Sequence, residues 1–269
     1  MLILHHADSG DAIVRSFSTV HHSVDFLGCT ALVLQAQAAI TFGGAHTSIT
    51  GDIGISPGTS ITGDYAIGNN GMTHINEGPS LACATDMGTI AAQAAALPCT
   101  NIPAELGKYN ESSCVIAIFY SVHPNPIVNH TQIILAHCSA KQFFPATGGA
   151  TLLPGVYCTA PGAFLLSAGL KLTLDAQNDQ HAEFIFIAAS TFTSLPYSSV
   201  SLVNQASAGN VHWSIGSSAT IGDYSTMVGN IIAYASITMD PYSTLYGRGI
   251  AGAAITCASG SVINLAAQN

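Results

Sequence analysis

Charge is what this sequence has least of. Asp, Glu, Lys and Arg together make up 7% of its 269 residues, against roughly a quarter in ordinary soluble domains. Only five residues are Lys or Arg, and the formal net charge is −9. A nucleic-acid surface needs clustered cations to meet phosphates, so that partner class is excluded. Polybasic attachment to anionic lipid is excluded for the same reason. No apolar run approaches the ~18 residues of a membrane-spanning helix, so no membrane partner is expected. None of the seven cysteines (Cys29, Cys83, Cys99, Cys114, Cys138, Cys158 and Cys257) forms a C-x-x-C pair, which removes zinc-ribbon and thioredoxin-like readings. Their scatter is compatible with one or two disulfides in an oxidising compartment, and equally with buried thiols. No Gly-rich phosphate loop, G-x-S-x-G elbow or H-E-x-x-H helix occurs. No metal or cofactor is expected. The opening "MLILHHADSG" has an apolar run of four residues, too short for a secretory signal. Residues 1–24, with His5, His6, His21 and His22, read as a poorly ordered extension.

Apolar residues nevertheless make up 48% of the chain. Its surface must therefore be covered by Ser, Thr, Asn, Gln, Gly and Ala. Short β-type runs dominate, among them "LKLTLDA", "EFIFIAASTF", "SSVSLVN" and "VHWSIG", each bounded by turn residues. One helix is expected over 79–97, Ala-rich, capped by Ser80 and stopped by Pro98.

The C-terminal part repeats every 18 residues. Thr220, Thr238 and Thr256 fall in one column, and Ser225, Ser243 and Ser261 in another. Three sides of about six residues give one coil of a three-sided β-solenoid, whose stacked strands lie ~4.8 Å apart. In "ATI", "ITM" and "ITC" each threonine lies between residues suited to a core. Alternation then turns the threonines outward as an exposed hydroxyl column. β-Branched Thr suits any exposed strand face, but three in register on a nearly uncharged chain point to an ordered, weakly polar plane.

The segments "ITGDIGISPGTSITG" (49–63), "ATDMGTIAAQAAA", "GATLLPGVYCT" (149–159), "LTLDAQNDQHAEFIFIAASTFT" and the run from "VHWSIGS" to "TCASGS" resemble the microbial ice-binding (antifreeze) proteins. The resemblance covers about residues 26–107 and 149–265. It implies a mainly β fold, a discontinuous three-sided right-handed parallel β-helix with one long α-helix alongside, formed here by residues 25–269. Its coils would come from both ends of the chain. It also implies an extracellular, non-catalytic protein whose partner is an ice crystal, and a monomer is expected. A rigid face of short residues holds water in an ice-compatible arrangement, by hydrogen bonds and by caging it around methyl groups. Adsorbed molecules force ice to grow as curved fronts, giving thermal hysteresis and inhibiting recrystallisation.

Two faces compete for that role. The resemblance favours the side stacking "EFIFIAAS", "VHWSIGS", "IIAYAS" and "GIAGAA", with "VLQAQAA" from the N-terminal part. Alternation makes Gln35, Gln37, Ile187, Ala189, Ser214, Gly216, Ile232, Tyr234, Ser236, Ile250, Gly252 and Ala254 its outward residues. The alternative is the ladder of Thr220, Thr238 and Thr256.

One segment departs from the family pattern, Lys108 to Gly148. It holds two cysteines and both N-x-S/T sequons, at Asn110 and Asn129. Gly107-Lys108-Tyr109 is compatible with a splice-donor string and Thr147-Gly148 with an acceptor. Joining across them restores "ELGGATLL". The segment reads as a retained intron or as a real insertion capping an end of the solenoid. Two rival functions remain. A polysaccharide-active enzyme would draw on the acidic stretch with Asp175, Asp179 and Glu183, otherwise a solvated turn. A carbohydrate-binding or adhesive module would draw on Tyr224, Tyr242 and Tyr246.

Overall fold

The computed structural model describes residues 24–68, 70–106, 149–159 and 162–265. The expected N-terminal extension and the Lys108–Gly148 segment lie outside them, except Val24. Its side chain is buried in the apolar cluster that also holds Cys83 and Met87 of the helix.

Parallel strands stack on three sides of a prism. The first side, here the helix face, carries nine strands. In spatial order they are Thr73–Ile75, Asp52–Ile55, Leu32–Ala36, Gly249–Ala251, Asn230–Ala233, Val211–Ile215, Phe184–Ala188, Gly155–Cys158 and Thr100–Asn101. The second, the threonine face, runs from Glu105–Leu106 through Phe164–Leu166, Phe192–Ser194, Ala219–Ile221 and Ile237–Met239 to Ala254–Ala258. The third stacks Ala150–Leu152, Lys171–Asp175, Ser199–Val203, Thr226–Val228, Thr244–Tyr246 and Val262–Asn264. Two longer strands, Ala39–Thr50 and Ser60–Gly68, bend around a corner and serve both the second and the third sides.

The order of coils in space is not the order in sequence. The first coil, Leu32 to Thr50, stacks on the last one, with Leu34 opposite Gly249 and Ile40 opposite Ile255. From the outermost coil the chain returns through the helix Gly78–Ala95 to the far end, where Thr100 pairs with Tyr157. Eighteen helical residues span about 27 Å, most of the ~38 Å between the outer strands of a nine-strand parallel ladder. The helix begins one residue before the expected start. Ser80 is not its N-cap but lies in its first turn, where its hydroxyl accepts the Glu77 N–H at 3.2 Å and donates to the Glu77 carbonyl at 2.9 Å.

Alternation fills the interior. Leu34, Ile231, Trp213, Phe186 and Tyr157 lie in register and point inward. Phe186 stacks on Trp213 at 4.0 Å and on Tyr157 at 5.5 Å between centroids. The indole N–H donates to the Val228 carbonyl at 2.9 Å, so the buried donor has its partner. The second repeating column of the sequence, Ser225, Ser243 and Ser261, is buried at an inner corner. There Ser225 and Ser261 bond carbonyls of the turn, Leu195 at 2.9 Å and Ala258 at 2.7 Å. The 18-residue period therefore encodes two hydroxyl columns, threonine outside and serine inside.

Disulfides pin the helix near both ends. Cys29–Cys83 ties it to the preceding segment, and Cys99–Cys158 ties the chain just after it to the helix face. Cys257 is a buried thiol, so both readings of the cysteines occur in one chain. Among the described residues no helix is long and apolar enough to cross a membrane.

Candidate ice-binding face

The threonine ladder is twice as long as the repeat predicts. Thr220, Thr238 and Thr256 are opposite one another on successive strands. Thr193 continues the column at one end, and Thr41 and Thr62 at the other. Six threonines thus form one line across six strands, spaced by the ~4.8 Å of the parallel ladder. Their neighbours in sequence point inward: Ala219, Ile221, Ile237, Met239, Ile255 and Cys257 are all buried. Thr41, Thr62 and Thr256 are exposed, and the other three half-buried. The Thr62 hydroxyl lies 3.5 Å from that of Thr41.

A second outward column precedes the threonines by two positions: Thr191, Ser218, Ser236, Ala254, Ala39 and Ser60. Ala39 lies opposite both Ala254 and Ser60, which confirms the register. Two positions along a strand are about 7 Å. The face is therefore a lattice of hydroxyls and methyls with no ionic group in either column. Carboxylates stand at its edge, Asp240 two positions past Thr238, Asp64 two positions past Thr62, and Asp223 at the corner. Burial, then the neighbouring Asp223, raises the Asp240 pKa above the usual carboxylate value.

The other expected face exists as a stack of strands, but much of it is covered. Gln35, Ile250, Ile232, Ser214 and Ile187 do form one outward column. The helix lies on top of it. Gln35 and Ile250 are 0% exposed, Ile232 3% and Ser214 8%. The cause is the apolar stripe Cys83, Met87, Ile90 and Ala94, which needs an apolar partner and finds Ile185, Ile232 and Ile250. Gln37 is tied down too, with its amide donating to the Ala84 carbonyl at 3.3 Å. Ala189, Gly216, Tyr234 and Gly252 line an apolar trough of about 540 Å³ between the helix and the corner. Tyr234 projects from its rim, 70% exposed. Ser236 and Ala254 lie past that corner, in the outer column of the threonine face.

Sequence reasoning missed Thr193, Thr41 and Thr62 because their coils break the period. Thr193 to Thr220 is 27 positions (220 − 193), Thr41 to Thr62 is 21 (62 − 41), and the Thr41–Thr256 contact joins opposite ends of the chain. The usable signal was local: "FTS", "ITF" and "ITG" repeat the pattern of one threonine between inward residues.

The rival sites take other forms. Asp175 accepts the Gln177 N–H and the Asn204 amide, both at 2.8 Å, and Asp179 accepts the His181 N–H at 2.9 Å. These are turn-closing bonds. No group of three or more metal-ligating side chains occurs among the described residues. Tyr224 and Tyr242 stack on each other at a corner, while Tyr246 stands on the third side.

A stiff prism with an open side whose two threonine-face columns carry no charge suits an extended, regular target. A family model described as ice-binding-like matches residues 34–263. An ice-binding protein of Nostoc sp. (strain HG1) is 44% identical over 90 residues, 34% of this chain and 32% of that protein. The chain thus matches about a third of that relative's length. The crystal structure of an ice-binding protein from the Antarctic ascomycete Antarctomyces psychrotrophicus is 28% identical, with a TM-score of 0.69, covering 90% of this chain and 98% of that one. An ice-binding protein from an Antarctic biological consortium is 27% identical, with a TM-score of 0.67 over 94% of this chain and 95% of that one. The chain belongs to the ice-binding-like family, and its fold is the β-helix of these proteins.

Proposed function

We propose that this protein adsorbs to ice through the threonine face, and in doing so depresses freezing and inhibits recrystallisation. The observation that carries the reading is the unbroken column Thr193, Thr220, Thr238, Thr256, Thr41 and Thr62, flanked by small residues. Each hydroxyl or methyl holds water weakly. Six strands fixed by one hydrogen-bonded ladder hold it together, with little ordering left to do on contact. Charged side chains would bind water in their own geometry, which accounts for their scarcity in this chain. The two disulfides support an oxidising, extracellular setting. The protein acts as a monomer with nothing turned over.

The test is thermal hysteresis and ice-affinity partitioning of Thr238→Tyr beside Thr244→Tyr, which puts the same bulk on the third side. Thr238→Tyr abolishes ice shaping and Thr244→Tyr leaves it, with both melting temperatures near the parent's. Equal activity in the two variants removes the threonine face from the reading.

A further inference from the structure

Three tyrosines form a second column, at the corner between the threonine face and the third side. Tyr197 stacks on Tyr224 at 5.2 Å between centroids with planes 2° apart, and Tyr224 on Tyr242 at 4.9 Å and 15°. They are 65%, 51% and 54% exposed. All three have left-handed backbones, with φ of 61°, 54° and 58°. The equivalent corners on either side are glycines with the same backbone, Gly169 at 69° and Gly260 at 73°. The register is fixed by a chain of bonds: Gly169 N–H to Pro196, Tyr197 to Asp223, Tyr224 to Pro241, Tyr242 to Ser259. Glycine adopts this backbone freely and a bulky aromatic does not. Three strained aromatics where glycine fits without strain call for a role of the side chain itself.

Stacking covers both faces of Tyr224 and the inner faces of Tyr197 and Tyr242, so the column offers chiefly edges and hydroxyls to solvent. That arrangement does not suit a sugar ring, which stacks on an open aromatic face. It suits chemistry between the rings. We propose that this column is a site of oxidative modification that closes to a dityrosine cross-link between neighbouring coils, with a haem peroxidase and hydrogen peroxide as oxidant. Each of two phenols gives up one electron and its hydroxyl proton. The two phenoxyl radicals join through ring carbons ortho to oxygen. The ring hydrogens then move to the phenol oxygens as aromaticity returns. One C–C bond forms, two hydrogens are lost in total, and one peroxide becomes two waters. Parallel stacking shares the radical between rings, and the ladder keeps the partners adjacent. The link ties one coil to the next at the edge of the open face.

The full chain is treated with haem peroxidase and hydrogen peroxide, and the products are separated on a reducing denaturing gel. The monomer band is then mapped by mass spectrometry and dityrosine fluorescence. The expected product is an intramolecular cross-link joining two of Tyr197, Tyr224 and Tyr242. Tyr224→Phe keeps the stack but removes the central phenol, and the signal from the monomer band is lost. Tyr234→Phe, which removes a more exposed phenol outside the column, leaves it intact. A monomer signal that survives Tyr224→Phe, or cross-links found only between molecules, overturns the proposal.

Discussion

Thr41 and Thr256 face each other on paired parallel strands, one from the first coil of the chain and one from the last. This contact joins Thr62 and Thr41 to the C-terminal ladder, and so decides how wide the open plane is. If the plane works as a unit, Thr41→Tyr removes as much thermal hysteresis as Thr238→Tyr, although Thr41 lies outside the 18-residue period. Ice-affinity partitioning checks it. Full activity of Thr41→Tyr would confine binding to the C-terminal coils.

The fold was largely legible in the sequence because its determinants are local. The 18-residue period, the inward and outward alternation around Thr220 and Thr238, and the Ala-rich segment each needed only nearby residues. Accessibility of a face was not legible, because it depends on a contact between distant segments. Ile232 and Ile250 point out of the prism, as alternation predicts, but whether they meet solvent depends on where Met87 and Ile90 settle. Two isoleucines in an outward column were the available warning. Outward isoleucines on a prism with a known helix mark the helix's seat.

Large-to-small substitutions beneath the helix should therefore act on stability rather than on ice. Ile232→Ala and Ile250→Ala each delete a side chain buried against the helix. Each is expected to cost about 2–5 kcal/mol by chemical denaturation, with thermal hysteresis unchanged in the cold, where the variants remain folded. A variant that keeps its stability and loses ice activity would mean that this side meets ice after all.

Stability should also fall on mild acidification. His212 is buried beneath Phe26, whose ring lies 5.2 Å away, with Arg248 and Asn230 beside it. Burial, and then the Arg248 charge, pulls its pKa down from 6.5 to about 4. Above the unfolded value the imidazole is neutral in both states and contributes no pH dependence. As the pH falls through the window between 6.5 and about 4, the unfolded chain takes up a proton that the folded one refuses. The slope from this group approaches about 1.4 kcal/mol per pH unit within that window. Denaturation midpoints at pH 7 and pH 5 should differ less in His212→Gln than in the parent. Equal differences would show that His212 does not control this dependence.

The described residues that flank the anomalous segment sit on neighbouring sides of the end coil. Leu106 lies opposite Leu166, and Ala150 opposite Leu172. Between Leu166 and Leu172 the neighbouring coil uses five residues to turn its corner (167–171). With residues 108–148 removed, Leu106 and Ala150 would be joined by two glycines, Gly107 and Gly149. Gly149 already has a left-handed backbone, with φ of 113°, and a side chain there would strike the Lys171 carbonyl. Two glycines are three fewer than the neighbouring corner uses, so closure relies on the freedom of a backbone without Cβ atoms and on drawing in the adjoining strand ends. We infer that the shortened chain closes the end coil and keeps the prism, as expected of a segment inserted into a complete solenoid. It should unfold in one cooperative transition and partition into ice as the full chain does. Sequencing of the mature transcript then separates the two origins: a message without those 41 codons identifies a retained intron, and a message carrying them identifies an insertion. Loss of cooperative unfolding in the shortened chain would instead make residues 108–148 a required part of the fold.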